Sequence, residues 1–404
     1  MAEPTPLKLS HYFTHSKRKG KAGLPLASVT MHNGLVPRAH LERDKERKTK
    51  TSLAADDHSL VEPGDIAYNM MRMWQGAFGL ATVPVNVSPA YVVMRAKPTL
   101  DPRYAAQWLK SDRAFYLLWA YSYGLTDDRL RLYPKEFLQI PVVWPDVREQ
   151  RRIAAVLDAW DNAIVACEKL VAAKERRFDW LRGEVLTGQN RLHGHKKPWQ
   201  TTRLAKVLHE HGQSSTGTEK VHSVSVHQGL INQIEHLGRS FAAANTDHYN
   251  RVLPGDVVYT KSPTGNFPLG IIKQSKLTMP VIVSPLYGVF TPQSRELGLV
   301  LDALFASPAA AERLLAPVVQ KGAKNTIAVT NKNFLQAKLN LPTDPNEIDA
   351  LAAVVEAAHA ELKVHRDELS LLRTQKRGLM QKLLNGQWRV PESAEALLPA
   401  GATP

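Results

Sequence analysis

Two stretches of the chain carry apolar residues at alternating steps of four and three. The first places Ile153, Leu157, Trp160, Ile164, Cys167, Val171, Phe178, Leu181 and Val185 on one stripe, with Lys174 out of character. The second gives Leu351, Val355, Ala358, Leu362, Leu369, Leu372, Leu379 and Leu383, interrupted by His365 and Lys376. Such a seam belongs to a long helix that packs along a partner. The ends agree with the middles. Asp146 stands three residues before Glu149, and Asp344 three before Glu347, each an acidic variant of the capping box. Pro345 suits a first helical position, and Gly188 and Gly386 lie just past the last apolar residue, where a left-handed cap is usual. At about 1.5 Å per residue each helix spans roughly 55–60 Å. Neither can bury its stripe alone, and the other copy is the fitting mate. The two seam lysines are expected to snorkel or to face a carboxylate, because an unpaired buried ammonium is costly.

The rest reads as short strands and turns, twice over. Ser28-Val29-Thr30-Met31-His32-Asn33-Gly34-Leu35-Val36 is answered by Ser223-Val224-Ser225-Val226-His227-Gln228-Gly229-Leu230-Ile231. Pro63-Gly64-Asp65-Ile66 is answered by Pro254-Gly255-Asp256-Val257, Ser88-Pro89-Ala90-Tyr91 by Ser284-Pro285-Leu286-Tyr287, and Phe137-Leu138-Gln139 by Phe334-Leu335-Gln336. Landmarks recurring in one order mark an internal duplication. Between them the halves differ: Met70-Met71-Arg72-Met73-Trp74 faces Lys261-Ser262-Pro263-Thr264. A helix is expected over about Pro102 to Trp119, and a last strand over Phe137-Leu138-Gln139-Ile140-Pro141 before the first long helix. The division that follows is a first domain at 1–145, a long helix at 146–188, a linker and second domain at 189–343, a second long helix at 344–388 and a tail at 389–404, expected to be disordered from Pro391 to Pro404.

Composition narrows the function. A length of 404 residues accommodates two to three domains, and 44% apolar residues suffice for real cores. The net charge of +14 favours a polyanionic partner. No apolar run approaches the ~18 residues of a spanning helix, and Met1-Ala2-Glu3-Pro4-Thr5-Pro6 lacks a signal pattern. The single cysteine, Cys167, lies on the seam and reads as a packed thiol in a reducing cytoplasm. Lys17, Arg18, Lys19 and Lys21 form one basic run, and Arg38, Arg43, Lys45, Arg47, Lys48 and Lys50 a second, dense enough for phosphate contact.

Catalytic chemistry is hard to find. There is no Gly-rich phosphate cradle ending in Gly-Lys-Ser/Thr, no Gly-x-Gly-x-x-Gly after a strand, and no Asn/Asp-Pro-Pro-aromatic motif of an amino-methyltransferase. His209-Glu210-His211 has the wrong spacing for a helical zinc pair and reads as a polar surface turn. Asp127-Asp128 reads as a turn or as a partner of Arg129. His32 and His227 stand at equivalent positions beside Asn33 and Gln228; a catalytic pair, a repeated structural hydrogen bond and a polar reader of a base edge are all open.

With Pro-Gly-Asp-Ile/Val and Ser-Pro-x-Tyr in both halves, a Phe-Leu segment, Glu149-Gln150-Arg151-Arg152-Ile153 at one helix start and Leu-Thr/Asn-Gly at both helix ends, the chain resembles the specificity subunit of Type I restriction-modification enzymes over nearly its whole length. It departs at Glu347-Ile348-Asp349, where Glu-Gln is usual, which puts the contacts at that helix start in question. The resemblance implies an α+β fold: two similar target-recognition domains with a pseudo-twofold relation, separated by two long helices paired as an antiparallel coiled coil. It implies a non-catalytic subunit that reads a bipartite, non-palindromic double-stranded DNA target. Two modification (methyltransferase) subunits, which hold S-adenosylmethionine, and restriction/translocase subunits would be its partners; this chain itself would hold no cofactor or metal and touch no membrane.

Under that reading, base contacts fall to Arg72, Gln75 and Arg129 in the first half and to Lys261, Asn266, Lys324 and Asn325 in the second, since Arg suits guanine and Asn or Gln adenine. Lys321 and Lys324, beside Gly322, join Lys17, Arg18 and Lys19 as phosphate ligands. A stand-alone DNA-modifying enzyme and a coiled-coil scaffold without nucleic acid are the competing classes.

Overall fold

A computed structural model describes residues 5–41, 53–126, 129–234, 246–261, 263–321 and 327–393. Internal contacts divide the chain into two units, Met1–Cys167 with Glu368–Pro404, and Glu168–Asp367. Each unit therefore holds half of each long helix.

In the first unit, β-rich runs build a four-stranded antiparallel sheet in the order Phe13–Ser16, Tyr91–Ala96, Ile66–Asn69, Phe78–Leu80. Ile66 lies opposite Met94 and Tyr68 opposite Phe78. The period of two sorts its side chains. Ile66, Tyr68, Val92 and Met94 enter one core with the helices, while Ala67 and Val93 enter another with Val29, Val61, Val85 and Val87. Those valines belong to a second sheet, ordered Gly34–Pro37, Leu26–Thr30, Val85–Val87, Ser59–Val61, in which Leu26 and Asn86 pair in parallel.

The second unit has a four-stranded sheet of corresponding order: Leu208–His209, Gly288–Pro292, Val257–Tyr259, Ile272–Gln274. Its smaller strands follow suit. His222–Ser225 pairs with Gly229–Asn232, Asn250–Val252 pairs with Val281–Val283, and a parallel bridge joins Val221 to Ile282.

The repeated motifs have a local cause. In Pro63-Gly64-Asp65 the carboxylate accepts the Glu62 N–H (3.0 Å), and in Pro254-Gly255-Asp256 it accepts the Leu253 N–H (2.7 Å). Gly64 and Gly255 adopt φ of +87° and +86°, which a side chain would strain. The Ser-Pro-x-Tyr segments are turns in which Tyr91 and Tyr287 donate their N–H to the Ser88 and Ser284 carbonyls.

Two expectations are corrected. The region from Pro102 forms two helices, Pro102–Trp108 and Asp112–Ala120, because Ser111 caps a second start by accepting the Ala114 N–H. The Phe-Leu segments are not strands. Phe137 and Phe334 end short helices, Pro134–Phe137 and Asn331–Phe334, and plug the cores against Tyr68 (ring centroids 5.4 Å apart) and Tyr259 (4.4 Å).

The long helices run over Val147–Trp180, with a final π turn at Leu181–Val185, and over Pro345–Leu384. Asp146 caps the first by accepting the Arg148 and Glu149 N–H groups. Within the first unit Ile153 and Leu157 share a core with Leu383 and Leu384, and Asp161 pairs with Lys376 at 2.6 Å. Within the second, Lys174 pairs with Glu361, Glu175 with Arg366, and Phe178 meets His359 edge-on at 4.9 Å. Rising numbers on one helix meet falling numbers on the other, so the segments pack antiparallel. Both seam lysines face carboxylates. At the second helix start, where Gln150 has no counterpart, fully buried Glu347 receives both Nε (3.0 Å) and Nη2 (2.5 Å) of Arg191. Cys167 is buried and takes part in no disulfide within the chain.

Candidate nucleic-acid interface

The residues of the basic run at 17–21 differ in exposure. Lys17, Lys19 and Lys21 are exposed, whereas Arg18 turns inward. Its guanidinium pairs with Glu62 and, at 2.7 Å, with buried Asp65, which Arg95 also reaches at 3.3 Å. Burial pushes the Asp65 carboxyl up, opposed by the Glu62 N–H and Arg18. A guanidinium held by two carboxylates is a structural group, so Arg18 is withdrawn as a phosphate ligand. In the second unit the same turn carboxylate, Asp256, is met by His211 Nε2 (3.0 Å) and the Thr291 hydroxyl (2.7 Å). His211 is thus a buried partner of Asp256 and not part of a surface turn.

Four of the reader candidates, Arg72, Gln75, Lys261 and Asn266, fall on segments beside the hairpins Leu26–Thr30/Gly34–Pro37 and His222–Ser225/Gly229–Asn232. Arg72 is exposed, with Nη1 3.7 Å from Sδ of Met31 at the tip of the hairpin formed by Leu26–Thr30 and Gly34–Pro37. Gln75 lines, with Met31, His32 and Asn33, an open cleft of about 730 Å³ whose far wall includes Lys110 and Lys376. The strand after Gln75 passes so close that a Cβ on Gly79 would lie 2.2 Å from the Leu35 nitrogen. Arg129 is exposed on a separate loop, its carbonyl packed beside Gly124.

In the second unit, Lys261 is half-buried and has φ of +59°, the one non-glycine residue with positive φ among those described. A residue held there is strained, and such strain collects at functional loops. Burial pulls its amine below the ordinary lysine value, opposed by Glu210. Asn266 is exposed at the tip of the turn that Thr264 and Phe267 close, and Gly265 in that turn faces Val226 of the second hairpin. Lys321 lies in a two-residue strand, Gln320–Lys321. Lys324 and Asn325, Asp127-Asp128, the basic residues Arg43 to Lys50 and the tail from residue 394 lie outside the described residues.

A polar cluster behind the first hairpin was not foreseen. Gln107 donates to Asp161 (2.8 Å) and Asp158 (3.3 Å), and Lys376 Nζ reaches Asp161 and Gln107. Burial pushes Asp158 up; burial also pushes Asp161 up, but hydrogen bonds from Lys376 and Gln107 outweigh it and hold that carboxyl below its ordinary range. Its sequence signal was Lys376 on an apolar seam, lacking only the register of its partner. Among the described residues, no group of three or more His, Cys, Asp or Glu could hold a metal ion, and no helix is long and apolar enough to cross a membrane.

No protein-family model matches the sequence, and a search of curated proteins finds no match. Solved structures do match. The crystal structure of a Type I restriction-modification system S subunit from M. genitalium aligns over 94% of this chain and 96% of its own, at 14% identity and a TM-score of 0.55. A chain from a structural study of complex assembly and conformational transition of the type I R-M system aligns over 96% of this chain and 100% of its own, at 13% identity and a TM-score of 0.53. With the two sheets, the plugging phenylalanines and the antiparallel helix segments described above, the fold of this chain is that of a Type I restriction-modification S subunit.

Proposed function

We propose that this chain is a non-catalytic DNA-recognition subunit. It reads a bipartite, non-palindromic duplex target, one half with each unit, and directs methyltransferase and restriction partners to it. S-adenosylmethionine belongs to the modification partner. The observation that carries the reading is the pairing of one scaffold with two loop chemistries. Sheets of corresponding strand order carry Arg72 and Gln75 in one unit and Lys261 and Asn266 in the other. Two readers of one build but different side chains suit two different half-sites. The charge of +14 supports a polyanionic partner, and Lys17, Lys19, Lys321 and Lys324 are the phosphate ligands of this reading.

Mapping methylated bases across the genome of cells carrying the chain with its partner subunits tests it. One asymmetric motif of two separated parts is expected; a palindromic motif, or none, would refute it. Replacing Lys321 and Lys324 by Gln should weaken binding to all duplexes alike and flatten the salt dependence by about 0.9 log units per lost phosphate contact. An unchanged slope would remove both from the interface.

A further inference from the structure

The two hairpin tips carry the same unused chemistry. Thr30 pairs with Gly34 and Ser225 with Gly229, leaving three-residue loops, Met31-His32-Asn33 and Val226-His227-Gln228. The backbone of each loop is served from its own strand: the Thr30 hydroxyl accepts the Asn33 N–H (3.0 Å), and the Ser225 hydroxyl accepts the Gln228 N–H (3.3 Å). The side chains are left over. His32, Asn33, His227 and Gln228 are all exposed, and none has a side-chain hydrogen-bond partner among the described residues. A structural role would have engaged them. Each tip also stands beside the loop that bears its unit's reader candidates, Arg72 and Gln75 in one and Lys261 and Asn266 in the other.

A two-stranded ribbon fits the major groove of a duplex, where a carboxamide can pair with both N6 and N7 of adenine and an imidazole N–H can donate to N7 or O6 of guanine. We infer, resting on the DNA-recognition reading above, that the tips His32-Asn33 and His227-Gln228 are equivalent base-reading elements, with Asn33 and Gln228 each reading an A·T pair in its own half-site. The extra methylene of Gln228 gives it a longer reach than Asn33, so the two are not interchangeable.

The test uses the full chain with its partner subunits. Genome-wide methylation is mapped for the wild type, Asn33→Ala, Gln228→Ala and the conservative Asn33→Gln, and binding of the purified complexes to duplexes altered at one base pair is measured. Asn33→Ala should relax one A·T position in one half-site, losing roughly ten- to hundredfold in discrimination there, and leave the other half-site intact; Gln228→Ala should do the converse. Asn33→Gln should retain methylation while changing preference at that same position. An unaltered motif with unaltered single-base discrimination in both alanine variants would overturn the inference while leaving the recognition reading standing. Uniform weakening at every sequence, with an unchanged unfolding midpoint, would assign the tips to backbone contact and overturn it equally. A wild type that yields no motif would instead remove the recognition reading itself.

Discussion

Asp65 and Asp256 close the same buried turn, yet the first is met by two guanidiniums, Arg18 and Arg95, and the second by an imidazole and a hydroxyl, His211 and Thr291. The long helices repeat the lesson. Asp161 and His359 each stand fifteen residues after the capping aspartates Asp146 and Asp344, and Phe178 and Lys376 each stand ten before Gly188 and Gly386. One crossing is an ion pair, Asp161 with Lys376; its counterpart is an aromatic edge contact, Phe178 with His359. The duplicated scaffold demands a satisfied turn N–H and a filled crossing. It does not dictate which chemistry supplies them.

Substitutions at both turns and both crossings, and a pH series, test whether the chemistry matters beyond filling the place. The largest effect is expected at the turns. Asp65→Ala strands two guanidiniums beside the half-exposed Glu62 and should cost about 4 kcal/mol in denaturant unfolding. Asp256→Ala should cost about 2 kcal/mol, because it removes the acceptor of the His211 and Thr291 hydrogen bonds and leaves no guanidinium behind. Equal losses would show the countercharge to be irrelevant. Next, Phe178→Ala should cost about 3 kcal/mol through the cavity it leaves. Lys376→Met should cost about 2 kcal/mol by leaving Asp161 with only Gln107, and the double variant Asp161→Leu/Lys376→Met should recover most of that. If the double variant is no better than the single, the pair does more than satisfy itself.

The smallest effect concerns pH. Burial, helped by Lys276, pushes the His359 imidazole down to about 4, with Asp302 opposing. A histidine with a depressed folded value leaves the unfolded chain binding more protons between that value and the ordinary ~6.5, so its share of stability is complete above ~6.5 and fades as pH falls toward 4. His359→Phe should flatten that slope, by on the order of 1–2 kcal/mol after allowing for solvent screening. Asp161 acts in a lower window. Its depressed value means that its share is present above the ordinary aspartate value and is lost only as pH falls through the folded one. A slope between 4 and 6.5 that survives His359→Phe would point away from this crossing.

Much of the scaffold was legible because its signals are local. Capping residues, heptad steps and Pro-Gly-Asp turns act within a few positions, and Asp146, Gly64 and Ile153 behave as their neighbours require. The misreadings arose where one residue competed with a longer pattern. Ser111 broke an apolar run into two helices by capping the second, and Phe137 looked like strand because its neighbours are apolar, while its ring was needed as a plug against Tyr68.

The candidate interface was legible in kind but not in membership. Net charge and unlike loops pointed to DNA, and the loop bearing Arg72 and Gln75 does lie beside a hairpin tip. That Arg18 is drawn in while Lys17 and Lys19 stay exposed depends on the Glu62 and Asp65 carboxylates it meets after the chain has folded. The two long helices, their ends and the twofold recurrence follow from neighbouring residues, because backbone hydrogen bonding and apolar periodicity are local properties. Only tertiary structure decided which polar side chains pair and which are left for a ligand. Asp161 finds Lys376, His211 finds Asp256, and His32 and Asn33 find nothing among the described residues, because partners so distant in sequence meet only after the chain has packed.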